Sequence, residues 1–307
     1  MKWQTAAAAL LNSLACPENK KLSNRQIVKL SNCEIVKLSN KITLLLFCIP
    51  SMLWAGENTE NTGALWTEVG VTKSLPYNLS IDASLEHRTQ DWFDWSSRWN
   101  IGAGLNYKLG KHVKFGVSYT FIQKHYQEEW KEHIGSKSGN FNGYNVDAAN
   151  WANRHRLSFD VTGTMRFRKT LRISIRERYQ YTHQAARNVD RMKLRDPLYD
   201  GDGNITMYDD TTYVVDRKSA KNRHLLRSRL KFSIDKKGWN WEPYVSIEAH
   251  NNLSDKMHLD KVRTQVGVDY KINKQHEVGL GYIFNHENDD DGDFNIHAIS
   301  IGYNYKF

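Results

Sequence analysis

The sequence predicts an all-β chain, a transmembrane antiparallel up-and-down β-barrel of ten or twelve strands. The last residues alternate, with Phe307, Tyr305, Tyr303, Ile301 and Ile299 on one face and Lys306, Asn304, Gly302 and Ser300 on the other, the period of two of a strand. Mean hydropathy is -0.66 and no apolar run approaches the ~20 residues of a spanning helix, yet aromatic residues make up 12% of the chain. Barrel strands alternate lipid-facing apolar with lumen-facing polar residues, which reconciles low hydropathy with aromatic girdles at the interfaces. Short and long connections also alternate, an arrangement that a soluble sandwich has no reason to adopt.

Residues 1–55 read as an N-terminal extension and signal peptide that is removed, and 56–307 as the barrel. Lys41 precedes the apolar run from Ile42 to Ile49, followed by Pro50-Ser51-Met52-Leu53-Trp54-Ala55 and the polar Gly56-Glu57-Asn58. This is the basic, apolar and small-residue order of a secretory signal, with Ala55 as the last residue removed. Phe47 is too bulky at its position for a lipoprotein signal through Cys48. Lys-Leu-Ser-Asn recurs at 21–24, 29–32 and 37–40, a tract for which no fold is expected and within which, near residues 36–41, translation is expected to begin. The extension holds seven Lys and Arg against two Glu, so without it the net charge of +9 falls by five. Global basicity therefore gives no reason to expect nucleic acid as a partner. Cys16, Cys33 and Cys48 all lie in the extension, which leaves the barrel no cysteine chemistry.

Strands are expected at 64–73, 78–88, 97–109, 113–124, 154–167, 171–182, 223–234, 240–250, 261–272, 275–285 and 294–307. The clearest pair sets Trp99, Ile101, Ala103, Leu105 and Tyr107 against Arg98, Asn100, Gly102, Gly104 and Asn106, and Val262, Thr264, Val266 and Val268 against Arg263, Gln265, Gly267 and Asp269. Gly110-Lys111-His112, Lys169-Thr170, Asp235-Lys236-Lys237-Gly238 and Asn273-Lys274 read as tight turns; 125–153, 183–222, 251–260 and 286–293 read as loops. Eleven segments sit awkwardly with the even strand number of bacterial barrels. Either ten form the wall with 56–73 inside or beneath it, or there is a twelfth. Trp92, Phe93, Trp95, Trp99, Trp239 and Trp241 fall at strand ends, where girdles belong, and Trp130 and Trp151 fall in a long loop.

The aromatic end resembles the terminal strand of bacterial outer-membrane barrels. That resemblance implies a Gram-negative outer membrane, contact with its lipid and lipopolysaccharide, and a barrel-assembly machinery that reads Phe307, Tyr305 and Tyr303.

Function is expected on the lumen face. Arg154, Arg156, Arg166, Arg168, Arg172, Arg176, Arg178, Arg223, Arg227, Arg229 and Lys231 share the inward parity of three consecutive strands. Guanidinium forks pair bidentately with carboxylate or phosphate, and a confined wall of one sign concentrates small anionic solutes. The alternative is that these cations pair with inward Glu86, Asp160, Glu242, Glu248 and Asp269 and fill a narrow lumen. Glu177 breaks the pattern: it falls on the lipid-facing parity, which calls for a bulge or a place above the hydrocarbon.

Three segments, Leu79-Ser80-Ile81-Asp82-Ala83-Ser84-Leu85-Glu86-His87-Arg88, Ile175-Arg176-Glu177-Arg178-Tyr179-Gln180-Tyr181 and Leu225-Leu226-Arg227-Ser228-Arg229-Leu230, follow the opening Trp66-Thr67-Glu68-Val69-Gly70-Val71. Together they resemble an uncharacterised family of outer-membrane barrels known only as a domain of unknown function. The arginine-lined strands and aromatic end are also similar in style to oligogalacturonate-specific porins, which implies a narrow porin-like channel or binding barrel for acidic oligosaccharides.

The alternatives are an outer-membrane lipid-modifying enzyme of deacylase or phospholipase type, and a structural or adhesion barrel. For an enzyme, His183, His224, His250 or His286 would serve as base and Ser228 or Ser254 as nucleophile. Phe284-Asn285-His286-Glu287-Asn288 is similar to a barrel deacylase but has no serine two residues after the histidine, and without it the triad logic fails. Asp200-Gly201-Asp202-Gly203-Asn204 alternates oxygen ligands, but Ile205 stands where an EF-hand needs glycine. No catalytic residue, metal or cofactor is expected.

Overall fold

The structure, a computed structural model, describes residues 60–135, 139–167, 170–289 and 292–307. The expected signal segment with its Lys-Leu-Ser-Asn repeats, Arg168 and the acidic pair Asp290-Asp291 lie outside the described residues. Among those described, the strands are β1 (Glu60–Ser74), β2 (Leu79–Gln90), β3 (Trp95–Leu109), β4 (Val113–Tyr126), β5 (Glu129–Ile134), β6 (Phe141–Asp147), β7 (Asn150–Phe167), β8 (Leu171–Gln184), β9 (Arg187–Tyr199), β10 (Ile205–Lys218), β11 (Lys221–Ile234), β12 (Trp241–Asn252), β13 (His258–Lys271), β14 (His276–Asp289) and β15 (Gly292–Lys306).

Eleven of these close a barrel, running β1-β2-β3-β4-β7-β8-β11-β12-β13-β14-β15 and back to β1. They are the eleven segments read from the alternation, a number between the ten and twelve expected. Residues 60–74 stand in the wall as β1, neither inside nor beneath it. The parity conflict disappears because β1 and β15 pair in parallel, from Glu60↔Phe294 to Thr72↔Lys306. In an up-and-down meander of odd number the first and last strands run the same way, and a parallel ladder of slanted hydrogen bonds still satisfies both edges. Past the end of β15, Phe307 N–H donates to Thr72 O at 2.9 Å and Ser74 N–H donates to Phe307 O at 3.1 Å. Gly110 and Gly238 adopt positive φ in two of the tight turns, a conformation glycine enters without steric cost.

The two faces of the wall are those that the alternation predicts. Ile101, Ile175, Ile247 and Leu280 point outward, 50–59% exposed, whereas Ser158, Gln180, Glu242 and Glu248 point inward and are buried. Apolar outside and polar inside is the reverse of a water-soluble core. Glu177 keeps its place on the outer face: the register Val161↔Glu177↔Ser228 runs through without a bulge, and Ser228 Oγ donates to Glu177 at 2.6 Å.

The segments expected as loops at 125–153 and 183–222 are not structureless. They hold the hairpins β5–β6 and β9–β10, joined through β6 and β9 into a four-stranded antiparallel sheet. Trp130 accordingly lies on β5, and Trp151 on β7, where its ring packs against His125 at 4.7 Å between centroids. The sheet extends the wall at β4, β7, β8 and β11. Its junction holds Ala148 N–H on Asp190 O at 2.8 Å, Arg187 Nε on Asn150 Oδ1 at 2.8 Å, and the Arg187 guanidinium over the Tyr126 ring at 4.4 Å.

Candidate functional site

The lumen is built from two unlike halves. Inward positions on β1, β3, β13, β14 and β15 include Gly70, Gly102, Gly104, Gly267, Gly279, Gly281 and Gly302. At two of them a side chain would press on its neighbours: a Cβ at Gly104 would meet the Asp82 carboxylate at 2.8 Å, and one at Gly267 the Tyr244 hydroxyl at 2.7 Å. Across from these bare strands, β7, β8 and β11 project arginines. The space left is a cavity of about 570 Å³ lined by residues from every strand of the wall. Twelve lining residues are Lys or Arg and six are Asp or Glu, so the cavity carries a cationic excess.

Each expected cation among the described residues has a definite place. Arg154, Arg156, Arg176, Arg178, Arg223, Arg227 and Arg229 line the cavity. Arg166, Arg172 and Lys231 lie nearer the tight turns: Arg166 reaches Asp235 at 2.5 Å, Arg172 pairs with Glu242, and Lys231 lies 3.6 Å from Asp269. The register sets Arg227 directly opposite Arg178, and Arg229 opposite Arg176. Like charges opposed across a ladder repel, and β12 supplies the remedy. Glu248 Oε1 accepts from Arg227 at 2.7 Å and from Arg176 at 3.1 Å, and Glu248 is also the register partner of Arg229 and Arg263. Arg178 pairs with Asp160, and Arg223 with Asp260.

Pairing is incomplete. Arg98, Arg154, Arg156, Arg229 and Arg263 have no carboxylate of a described residue within 4.0 Å. Arg154 donates to Tyr126 and to Gln184 Oε1, the latter at 2.8 Å; Arg156 donates to Thr182 at 3.4 Å and Arg263 to Asn285 Oδ1 at 2.8 Å. Trp66, on β1 and 8% exposed, carries the Arg88 guanidinium 3.7 Å and the Arg263 guanidinium 4.9 Å from its ring centroid. Arg88, Arg98, Lys261, Arg263 and Trp66 were not among the expected site residues, although Arg98 and Arg263 occupy the polar parity of their strands. The signal was the same alternation, applied to β3 and β13.

The candidate bases and nucleophiles do not assemble. His250 lines the cavity, 3.8 Å from Glu248 Oε1, whereas His183, His224 and His286 share the outward parity. Ser228 is engaged with Glu177, and Ser254 Oγ accepts the His224 backbone N–H at 3.2 Å. In the acidic turn, Asp200 Oδ1 accepts the backbone N–H of Asp202 at 2.9 Å and of Asn204 at 2.8 Å. These bonds tie the carboxylate to its own turn, and the Asn204 N–H above all holds its pKa below the ordinary carboxylate value.

The outer sheet has its own ion-pair cluster. Asp147 on β6 receives Arg191 Nε at 2.5 Å and Lys218 Nζ at 2.7 Å, and Asp216 receives the same two cations at 2.7 and 2.9 Å. Burial by itself would raise the Asp147 pKa, but the hydrogen bonds from Arg191 and Lys218 outweigh it and hold the pKa at about 2.

No curated protein matches the chain. Among solved structures, the translocator domain of autotransporter NalP from Neisseria meningitidis is similar over 87% of this chain and 95% of that one, at 10% identity and a TM-score of 0.46. The family described as "Protein of unknown function (DUF2490)" matches residues 63–295, well over half of the sequence, and the chain belongs to that family.

Proposed function

We propose that the protein is an outer-membrane barrel whose lumen binds or passes small anionic solutes such as acidic oligosaccharides. The carrying observation is the cationic excess of the cavity, with five arginines that no described carboxylate pairs. A guanidinium bound only to neutral acceptors keeps its charge and spare donors for a carboxylate or phosphate. The membrane reading is supported by the outer face, since exposed apolar surface over most of a barrel far exceeds the few hundred Å² that a soluble monomer tolerates. The Gram-negative address rests on the aromatic end of the last strand, and the signal-like order at 41–55 supports export. In this reading, lipid and lipopolysaccharide surround the wall, and the assembly machinery reads Phe307, Tyr305 and Tyr303.

Planar-bilayer recording tests the proposal. Purified protein should conduct with anion preference, and the preference should weaken as added salt shortens the screening length from about 10 Å at 0.1 M. Changing Arg98, Arg156 and Arg263 together to Gln should reduce it while leaving the Glu248 pairs intact. Well-folded protein that neither conducts nor binds a short uronate oligomer would overturn the anion reading.

A further inference from the structure

The outward face of the barrel strands is almost free of fixed charge. Among the described residues, only Lys73, near a tight turn, Glu177, at mid-strand, and Asp293, at the start of β15, fall on the outward parity as permanently ionised groups. Histidine behaves differently: eight of the chain's 12 sit on that parity, seven of them within five residues of the strand ends on the side of the long connections and the eighth, His276, at the opposite end of β14.

They are woven into the aromatic girdle. His155 faces Tyr119, His224 faces Tyr179 and His297 faces Tyr282, each with the tyrosine hydroxyl 2.6–2.7 Å from the imidazole Nδ1. A hydroxyl donating to Nδ1 fixes the tautomer, placing the proton on Nε2. Nε2 of His155 and of His224 has no hydrogen-bond partner among the described residues and so remains a donor on the outer surface. His125 lies between Trp95 and Trp151, with ring centroids at 5.3 and 4.7 Å, and His87 lies against Trp99 at 4.1 Å. The other two of the seven, His183 and His286, bond to Asn222 and Asn295. Three strands thus repeat one device at this level, a tyrosine aiming an imidazole, and Tyr303 holds His276 in the same way at the opposite end, 2.7 Å from Nδ1.

We propose that this belt is a pH-dependent binding surface for the phosphates of anionic lipid headgroups. The inference rests on the membrane reading above. A neutral belt offers Nε2–H donors to phosphate oxygens; a protonated belt adds positive charge at a level where no lysine or arginine faces outward. The charged groups nearest it are few: at the tip beyond His286 and His297 stand Asp289 on β14 and Asp293 on β15. Glu177 lies below it on β8, Asp91 and Asp94 lie in the turn beyond His87, and Asp255 and Lys256 lie in the turn beyond His224. Imidazole changes charge between about pH 5 and 8, so the preference for anionic lipid should rise as pH falls through that window.

The girdle tryptophans Trp95, Trp99 and Trp151 make the test direct. The full chain is reconstituted into phosphatidylcholine vesicles containing either brominated phosphatidylcholine or brominated phosphatidylglycerol, and tryptophan quenching is compared at about pH 5 and about pH 8. Several-fold stronger quenching by the anionic lipid is expected at low pH, near parity at high pH, with no competition from inorganic phosphate at equal ionic strength. His155→Gln with His224→Gln and His297→Gln should abolish the pH dependence, folding being checked by heat-modifiable migration. Should the triple variant not fold, each single variant is expected to lose part of the effect. Inserted wild-type protein with equal preference at both pH values, or variants retaining the full dependence, would overturn the proposal. Failure to insert at all would instead overturn the membrane reading beneath it.

Discussion

Glu248 holds apart side chains that would otherwise repel. Its Oε1 receives Arg176 and Arg227 while Arg229 and Arg263 stand opposite it in register. Removing one member of a buried ionic group costs about 3–5 kcal/mol because the remaining charges lose their counter-ion. Glu248→Gln is therefore expected to lower the unfolding free energy, read from urea titrations followed by heat-modifiable migration, by an amount of that order, and to strengthen anion preference in whatever folds. Glu177→Gln is the contrast. It keeps an acceptor for Ser228 and removes a charge from an apolar face, so stability should change by no more than ~1 kcal/mol or rise. The inward parity of these positions was readable because alternation is local. Their partners were not, since Glu248 is separated from Arg227 by 21 residues and from Arg176 by 72, and only strand register decides who meets whom.

The outer sheet shows what alternation misses. Val189, Met192, Leu194, Tyr213 and Val215 are too few and too interspersed with charge for their segments to announce strands by apolar period. The available signal was length, because structureless connections of such extent are uncommon. Charge pairs tie this sheet together, which makes its stability pH-dependent in a definite direction. Asp147 is held at about 2, below its ordinary 3.8. A depressed folded pKa contributes stability that is present above the unfolded value and is lost as pH falls toward the folded one, so the sheet should loosen between about pH 4 and 2. Limited proteolysis with an acid-active protease should cut within 127–149 or 185–220 more readily at the lower end of that window. Asp147→Asn should be cut readily throughout.

For the whole molecule, the wall was legible in the sequence and its closure was not. Eleven segments emerged from period two, because each strand has one face toward apolar surroundings and one toward a polar lumen. Which edges meet is a long-range choice that no local pattern encodes, and the expectation of an even number was borrowed from other barrels. The parallel seam can be tested covalently, since residues 56–307 contain no cysteine. Val69 and Tyr303 are register partners on the outward parity, and cysteines at both positions should oxidise to a disulfide in folded protein, neighbouring Cα atoms in a ladder lying within the 4.4–6.8 Å a disulfide spans. A ten-strand wall closing β15 directly on β2 would leave that pair unlinked.

The seam also sets a direction of travel. Because β1 runs parallel to β15, its first residues lie beside the start of β15, at the end of the barrel that bears most of the outward histidines and the outer sheet, not beside Phe307. In a barrel of even number both chain ends remain on the side from which the polypeptide arrives. On the membrane reading proposed above, the amino end of β1 would have to be carried across the bilayer before the circle shuts, between residues as far apart as Thr72 and Asn304, 232 positions along the chain. Contacts so distant in sequence form slowly, so translocation is expected as the last step of insertion. A membrane-impermeant maleimide should then label Asn61→Cys in intact cells only after the wall has closed, making that residue a clock for the final event of biogenesis.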